Sequence, residues 1–335
     1  RWYDRDSLIF ITGLSEIDAI LGNDEKLVSD VADAAMELRP RFIALVNSPI
    51  PYLNGTDFPA LCRLIQQETG IPTFYVPTNG MHDYVTGGGR ALREIAARFA
   101  APAIRQKGTL NLLGVTPLDF AEAGCTRSLR QFAAEQGFSV LSCWAMGDSL
   151  DTLAHAGAGE VNLVVSALGL PAAELLYQRF GTPYVCGVPV PGFRDELGNA
   201  LREAAGTGIP AFPCRDSRTA AAGEWTAIGE PVLMGSLGAA AERKTGCPVR
   251  VLSPLEATEA LLSEADLPVD GEEEAEAALQ TARVIFSDPM YRPVCPAGAK
   301  FIPLAHQAFS GRNGWKTMKN PMELDISRLL EEANL

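Results

Sequence analysis

Short apolar runs alternate with helix-patterned segments along nearly the whole chain. Residues 41–46 (RFIALV), 73–76 (TFYV), 110–115 (LNLLGV), 138–143 (FSVLSC), 161–166 (VNLVVS), 183–187, 249–252, 283–287 and 300–304 are the runs. Their near-continuous hydrophobicity is that of strands covered on both faces. Between them, Leu27, Val31, Ala34 and Leu38 fall at helical spacing over residues 24–38, with Asn23 or Asp24 placed to cap. Further helices are expected at 57–67 behind Asp57, at 87–104, at 126–136, at 148–156 behind Asp148 or Ser149, and at 194–205. Residues 171–180 begin with proline, a helix-start signal. Later in the chain, 232–234 reads as a strand, 235–245 as a helix opened by glycine, 255–280 as helical segments and 322–333 as a last helix.

Strands separated by single helices predict right-handed crossovers and parallel sheets. The expected fold class is therefore α/β, with three Rossmann-like parallel-sheet domains. Their expected bounds are 1–107, 108–206 and 231–335, the last ending in a C-terminal helix. Residues 207–230 form a Gly- and Pro-containing connector, followed by an Ala-rich helical stretch. The length of 335 residues exceeds the roughly 250–300 at which one core stops growing, which fits several domains.

Charge and cysteine usage narrow the function. A net charge of −13 argues against nucleic acid and against anionic lipid, both of which need clustered Lys and Arg. No apolar stretch reaches the roughly 20 residues of a membrane span, and residues 1–12 carry no signal-peptide pattern. The seven cysteines are odd in number and never spaced C-x-x-C, as in a reducing cytoplasm. The chain starts at Arg1 without an initiator Met and reads as an N-terminally truncated piece.

Ligands of open parallel sheets sit at the carboxyl ends of the strands. Four loops stand out there: 47–54, 143–149, 166–170 and 306–314. Gly87-Gly88-Gly89 fits either a phosphate cradle at a helix start or a turn needing positive φ. There is no Walker loop, no G-x-G-x-x-G after a strand and no G-x-S-x-G. With three histidines and no H-E-x-x-H, a zinc hydrolase is unsupported too.

A longer comparison is more informative. Residues 16–27 (EIDAILGNDEKL), followed by Arg39-Pro40 and a buried strand, resemble the E-x-D-x-x-x-G-x-x-x-K-L segment of nitrogenase component 1 type oxidoreductases. Gly55-Thr56-Asp57 resembles the end of the I-G-D-D stretch in that family. Residues 111–120 (NLLGVTPLDF) are similar to the N-L-x-G strand that opens its second domain. The Gly147-Asp148 turn with residues 160–166 (EVNLVVS), residues 180–184 (FGTPY) and residues 300–312 (KFIPLAHQAFSGR) continue the series in order. The family contains molybdenum–iron protein subunits, cofactor-assembly homologues and protochlorophyllide reductase relatives.

The resemblance implies a nitrogenase-like oxidoreductase component. Such a protein binds an iron–sulfur or related metallocluster, or a tetrapyrrole-type ligand, in an interdomain cleft. It receives electrons from a separate ATP-dependent iron–sulfur reductase and works beside a paired homologous subunit. The alternative is a non-catalytic scaffold or carrier for metallocluster assembly; a third class is a small-ligand binding protein. Cys143 and His306 lie near the family's cofactor-ligating Cys and His, offset by two and about one residue, and are the implied metal ligands. Arg312 and the 47–54 loop are implied to shape the cleft. Ser48 stands where the family carries a cluster cysteine, and a hydroxyl is a poorer iron ligand than a thiolate. For Cys143 a buried strand position, for His306 a loop position and for Ser48 a strand-end hydrogen bond remain the structural alternatives.

Overall fold

The computed structural model describes residues 9–13, 17–18, 22–120, 124–146, 148–219 and 224–332. They form two compact units, Arg1–His82 and Asp83–Leu335. The first unit holds a two-stranded parallel sheet of β1 (Ile43–Val46) and β2 (Thr73–Val76), with Ile43 opposite Thr73. Helix Asp24–Leu38 begins where the Asn23 side chain accepts from the Lys26 N–H, and helix Phe58–Thr69 where Asp57 accepts from Ala60. Both caps satisfy amide groups that a helix start leaves unpaired. Leu27, Phe58 and Leu61 form the small core here, with the Phe58 and Tyr75 rings stacked 5.0 Å apart. At the strand exits Thr78 Oγ1 accepts from the Asn47 N–H (2.8 Å) and donates to its carbonyl (3.2 Å).

The second unit contains two larger, wholly parallel sheets. One has the order β4-β3-β5-β6, from β3 (Thr109–Leu113), β4 (Ser139–Cys143), β5 (Val161–Val164) and β6 (Tyr184–Cys186). The other has the order β11-β10-β7-β8-β9, from β7 (Trp225–Ile228), β8 (Val249–Ser253), β9 (Leu267–Pro268), β10 (Val284–Ser287) and β11 (Lys300–Pro303). One hydrophobic cluster runs through both, from Leu110 and Leu163 to Phe286 and Ile302. Winding reverses between β3 and β5 in the first of these sheets and between β7 and β10 in the second. Side chains bridge each reversal: Ser166 Oγ donates to the Gly114 carbonyl at 2.8 Å, and Ser287 Oγ to the Ile228 carbonyl at 3.3 Å.

Three local readings change. Residues 232–234 belong to helix Pro231–Thr245, not to a strand. Pro231 sits in its first turn and Glu230 caps it, while Pro231 to Ala241 are buried on every side, so no amphipathic period betrays the helix. Residues 255–280 contain a short 3-10 turn, strand β9 and helix Glu272–Leu279 rather than successive helices. The three glycines do not open a helix. Helix Tyr84–Phe99 starts earlier, on Asp83, and none of the three has positive φ. Two of them serve closeness: a Cβ on Gly88 would meet Leu168 Cδ1 at 2.3 Å, and one on Gly89 would meet Pro171 Cγ at 3.1 Å. This helix packs on Leu170–Phe180, whose Arg179 guanidinium donates to the end carbonyls of Ala96, Ala97 and Ala100. The Ala-rich stretch at 220–222, Glu16 and Gly147 lie outside the described residues.

Backbone closeness at the first reversal gives a prediction. A Cβ on Gly169 would lie 2.7 Å from the Leu113 carbonyl carbon and 2.9 Å from the Gly114 nitrogen. Neither is a movable side-chain end. Gly169→Ala is expected to destabilise the chain by roughly 1–3 kcal/mol. Gly87, with nothing within 4 Å of its added Cβ, gives the opposite sign: Gly87→Ala stabilises by about 0.5–1 kcal/mol. Denaturant midpoints of the two variants check both.

Candidate functional site

The carboxyl ends beside a winding reversal are where open α/β sheets bind ligands. Here buried polar side chains of the second unit gather at the strand ends of both sheets. Asp119, in the loop after β3, accepts from Tyr84 Oη at 2.6 Å and from Thr116 Oγ1 at 2.7 Å. His306, after β11, brings Nε2 to 3.4 Å from Asp119 Oδ1, with both side chains 2–3% exposed. That approach is too poorly aligned for a hydrogen bond, so it is an electrostatic contact. Asp288, after β10, accepts from the His306 N–H (2.7 Å), the Met290 N–H (2.8 Å) and Ser310 Oγ (2.5 Å).

Glu230, after β7, ties the two sheets together. Its carboxylate accepts from the N–H of Ala167, after β5, at 2.8 Å, and from those of Val232 (3.2 Å) and Leu233 (2.8 Å) at its own helix start. Burial, then the nearby Asp119 charge, push its pKa up to about 8, against the opposing pull of the three amides. Burial first, then the Asp119 and Glu230 charges, push the Tyr84 phenol well above its usual value, so it stays a donor.

The positions singled out in the sequence are distributed as follows. Ser48 belongs to the first unit. It is exposed, caps helix Pro49–Leu53 without a side-chain bond, and lines a cavity of about 810 Å³. That volume is in the range of small-molecule sites, and Leu27, Val31, Leu45, Ile50, Asn54 and Asp57 are among its walls. Cys143 ends β4 and is buried; its thiol donates to the Met146 carbonyl at 3.0 Å. Its own N–H donates to Asp148, which also accepts from Arg130. Burial pushes the Cys143 thiol up to about 12, with Arg130 lowering it and Asp148 raising it. His306 caps helix Gln307–Trp315, its Nδ1 accepting from the Ala308 N–H at 3.3 Å. Arg312 is on that helix, but its side chain is outside the described residues.

A resident cluster needs deprotonated thiolate and an imidazole lone pair. Here the thiol is protonated and bonded to a carbonyl, and the Nδ1 lone pair is taken by an amide. The cavity beside His306 measures about 30 Å³, the room of one water, and is walled by Leu233, Met234, Leu237 and Leu304. Among the described residues, no three His, Cys, Asp or Glu side chains are grouped so as to hold a metal ion. Cys143 and His306, as folded here, do not fit a bound metallocluster.

A sequence profile described as Nitrogenase component 1 type Oxidoreductase matches residues 1–223. The chain belongs to this family. Within it, the chain is 26% identical over 193 residues to the nitrogenase iron-molybdenum cofactor biosynthesis protein NifE of Klebsiella pneumoniae, covering 53% of this chain and 41% of that protein. It is 24% identical over 198 residues to NifE of Clostridium pasteurianum, covering 58% and 42%. Over 181 residues it is 27% identical to a light-independent protochlorophyllide reductase subunit of a Picosynechococcus species, covering 50% and 35%. The chain thus spans less than half the length of these relatives. Among solved structures, "Nitrogenase Cp1 at pH 6.5" aligns over 96% of this chain and 81% of that one, with a TM-score of 0.64 and 15% identity, which shows the shared fold.

For a component 1 type chain, the residues missed by sequence reading are Tyr84, Asp119, Glu230 and Asp288. Two had a local signal: Glu230-Pro231 and Asp288-Pro289 each place an acid and a proline straight after an apolar strand, as helix starts do. Asp119 and Tyr84 had none, because their importance comes from contacts with distant segments.

Glu230 supplies a pH prediction. Its folded pKa of about 8 lies above the ordinary value of 4.5, so the native state holds the proton more tightly than the unfolded chain. Its stabilising contribution is complete below the unfolded value and is lost as pH rises through about 8. Stability should fall across that window with a slope approaching about 1.4 kcal/mol per pH unit. Glu230→Gln should flatten the slope in urea melts taken between pH 5 and 9; an unchanged slope would assign it to other groups.

Proposed function

We propose that this chain is a non-catalytic assembly subunit of the nitrogenase component 1 kind, handling a metallocluster as cargo beside a paired homologous subunit in the cytoplasm. The observation that carries this reading is the state of the aligned ligand positions. Cys143 and His306 are spent on internal hydrogen bonds, and Ser48 replaces a thiolate. A subunit that passes a cluster on has no need of a permanent thiolate and imidazole pair at those positions. The relatives named as cofactor biosynthesis proteins agree with it.

The first unit supports partner dependence. Among the described residues, most of the exposed large apolar side chains belong to it, including Phe10, Ile11, Ile17, Val46, Ile50 and Leu53. Its strand β1 is apolar throughout yet only half covered. Exposed apolar surface on this scale marks interaction sites.

A second reading is a nitrogenase-like oxidoreductase component. It would bind a metallocluster or tetrapyrrole-type ligand and take electrons from an ATP-dependent iron–sulfur reductase. The match to a protochlorophyllide reductase subunit favours it.

Anaerobic purification, loading with a preformed iron–sulfur cluster and iron and sulfide analysis separate the two. The assembly reading expects loaded iron to be released to an acceptor apo-protein, and Cys143→Ala to leave the loaded amount unchanged. Retained iron, lost in Cys143→Ala, together with ATP-dependent substrate reduction in the presence of the reductase, would replace it by the oxidoreductase reading.

A further inference from the structure

Each member of the buried chain Tyr84–Asp119–His306–Asp288 comes from a different part of the second unit. Tyr84 is in the first turn of helix Tyr84–Phe99, Asp119 follows β3, His306 follows β11 and Asp288 follows β10. We propose that His306 is a structural latch between the two parallel sheets, set at the exit of edge strand β11 against the loop after β3, with a tautomer that bars it from binding metal through Nε2. The inference goes beyond the assembly reading and holds equally for an oxidoreductase.

The tautomer follows from the helix start. The Ala308 N–H points at Nδ1 from 3.3 Å, so Nδ1 must present its lone pair and the ring proton sits on Nε2. Nε2 lies 3.4 Å from Asp119 Oδ1, an electrostatic contact with no aligned hydrogen bond. A metal on Nε2 would need the proton moved to Nδ1, directly against the Ala308 N–H, and would leave that buried amide unpaired. Aromatic neighbours flank the ring. Phe309 lies 4.9 Å from it and Tyr84 6.4 Å, centroid to centroid, and its own backbone N–H is held by Asp288.

The other side of the latch is equally fixed. The Asp119 carboxylate has a phenol on Oδ1 and a hydroxyl on Oδ2. The His306 N–H lies on the Oδ1 side, which the phenol occupies, and this accounts for the long, misaligned approach. The buried carboxylate takes donors from two segments and an electrostatic contact from a third, and losing any of them weakens the hold on a charge in an apolar surround. Side chains sharing one such partner are energetically coupled.

The test uses the full chain and two substitutions that preserve size and hydrogen bonding. His306→Asn keeps an acceptor for the Ala308 N–H, since asparagine is a good helix cap. Asp119→Asn keeps the shape and removes the charge. Each is expected to lower the melting midpoint by several degrees, and the double variant by clearly less than the sum. His306→Asn is expected to bind the same iron as the parent chain after anaerobic incubation with ferrous iron and sulfide. Additive shifts, or iron bound by the parent and lost in His306→Asn at an unchanged midpoint, would overturn the proposal. Should either variant fail to fold, the parent chain decides: a midpoint unmoved by anaerobic chelation supports the latch, and one lowered by removing metal refutes it.

Discussion

The buried carboxylate of Asp119 sets the terms for the centre of the second unit. An ionised group without solvent needs donors, and they must come from whatever is near. At Asp119 they arrive from its own loop (Thr116) and from helix Tyr84–Phe99 (Tyr84), while His306, at the exit of β11, adds a 3.4 Å electrostatic contact. None of these segments is adjacent to another in sequence. Satisfying one charge therefore fixes the relative placement of two sheets and one helix. The same logic repeats at Glu230, where a single carboxylate collects the Ala167, Val232 and Leu233 amides across the two sheets. The charges also act on each other, which is why burial and Asp119 together raise the Glu230 pKa to about 8.

This arrangement alters what the shared fold implies for function. In open α/β sheets the reversal of winding leaves a crevice at the strand ends, and ligands use it. In this member of the component 1 family side chains bridge both reversals, and the cavity beside His306 measures about 30 Å³. A ligand-sized space lies in the first unit, where Ser48 lines a cavity of about 810 Å³. Cys143 and His306, spent on internal hydrogen bonds, are poorly placed to fix a cluster.

Much of the architecture was legible in the amino-acid pattern. The helix at 24–38 and the strand at 73–76 stand where periodicity and apolar runs put them, because a capped amphipathic helix and a buried apolar strand both leave local marks. The parallel sheets and the family were legible for the same reason, spread over many short motifs. What escaped was information held by tertiary partners. Helix Pro231–Thr245 is buried all round and lost its period. Gly88 looks like a turn residue until Leu168 is seen against it. His306 reads as a ligand by alignment, and only the Ala308 amide and the Asp119 carboxylate show what its two ring nitrogens face.

The protonation pattern of the His306 ring tests the account most directly, and the chain has three histidines, so the spectrum is simple. Long-range proton–nitrogen correlation on chain labelled at histidine, with His306→Asn for assignment, reads which ring nitrogen carries the proton. The account predicts the Nε2–H form for His306, unchanged when ferrous iron is added under anaerobic conditions. An Nδ1–H form, or a His306 signal shifted or broadened by iron through the ring nitrogen, would contradict it.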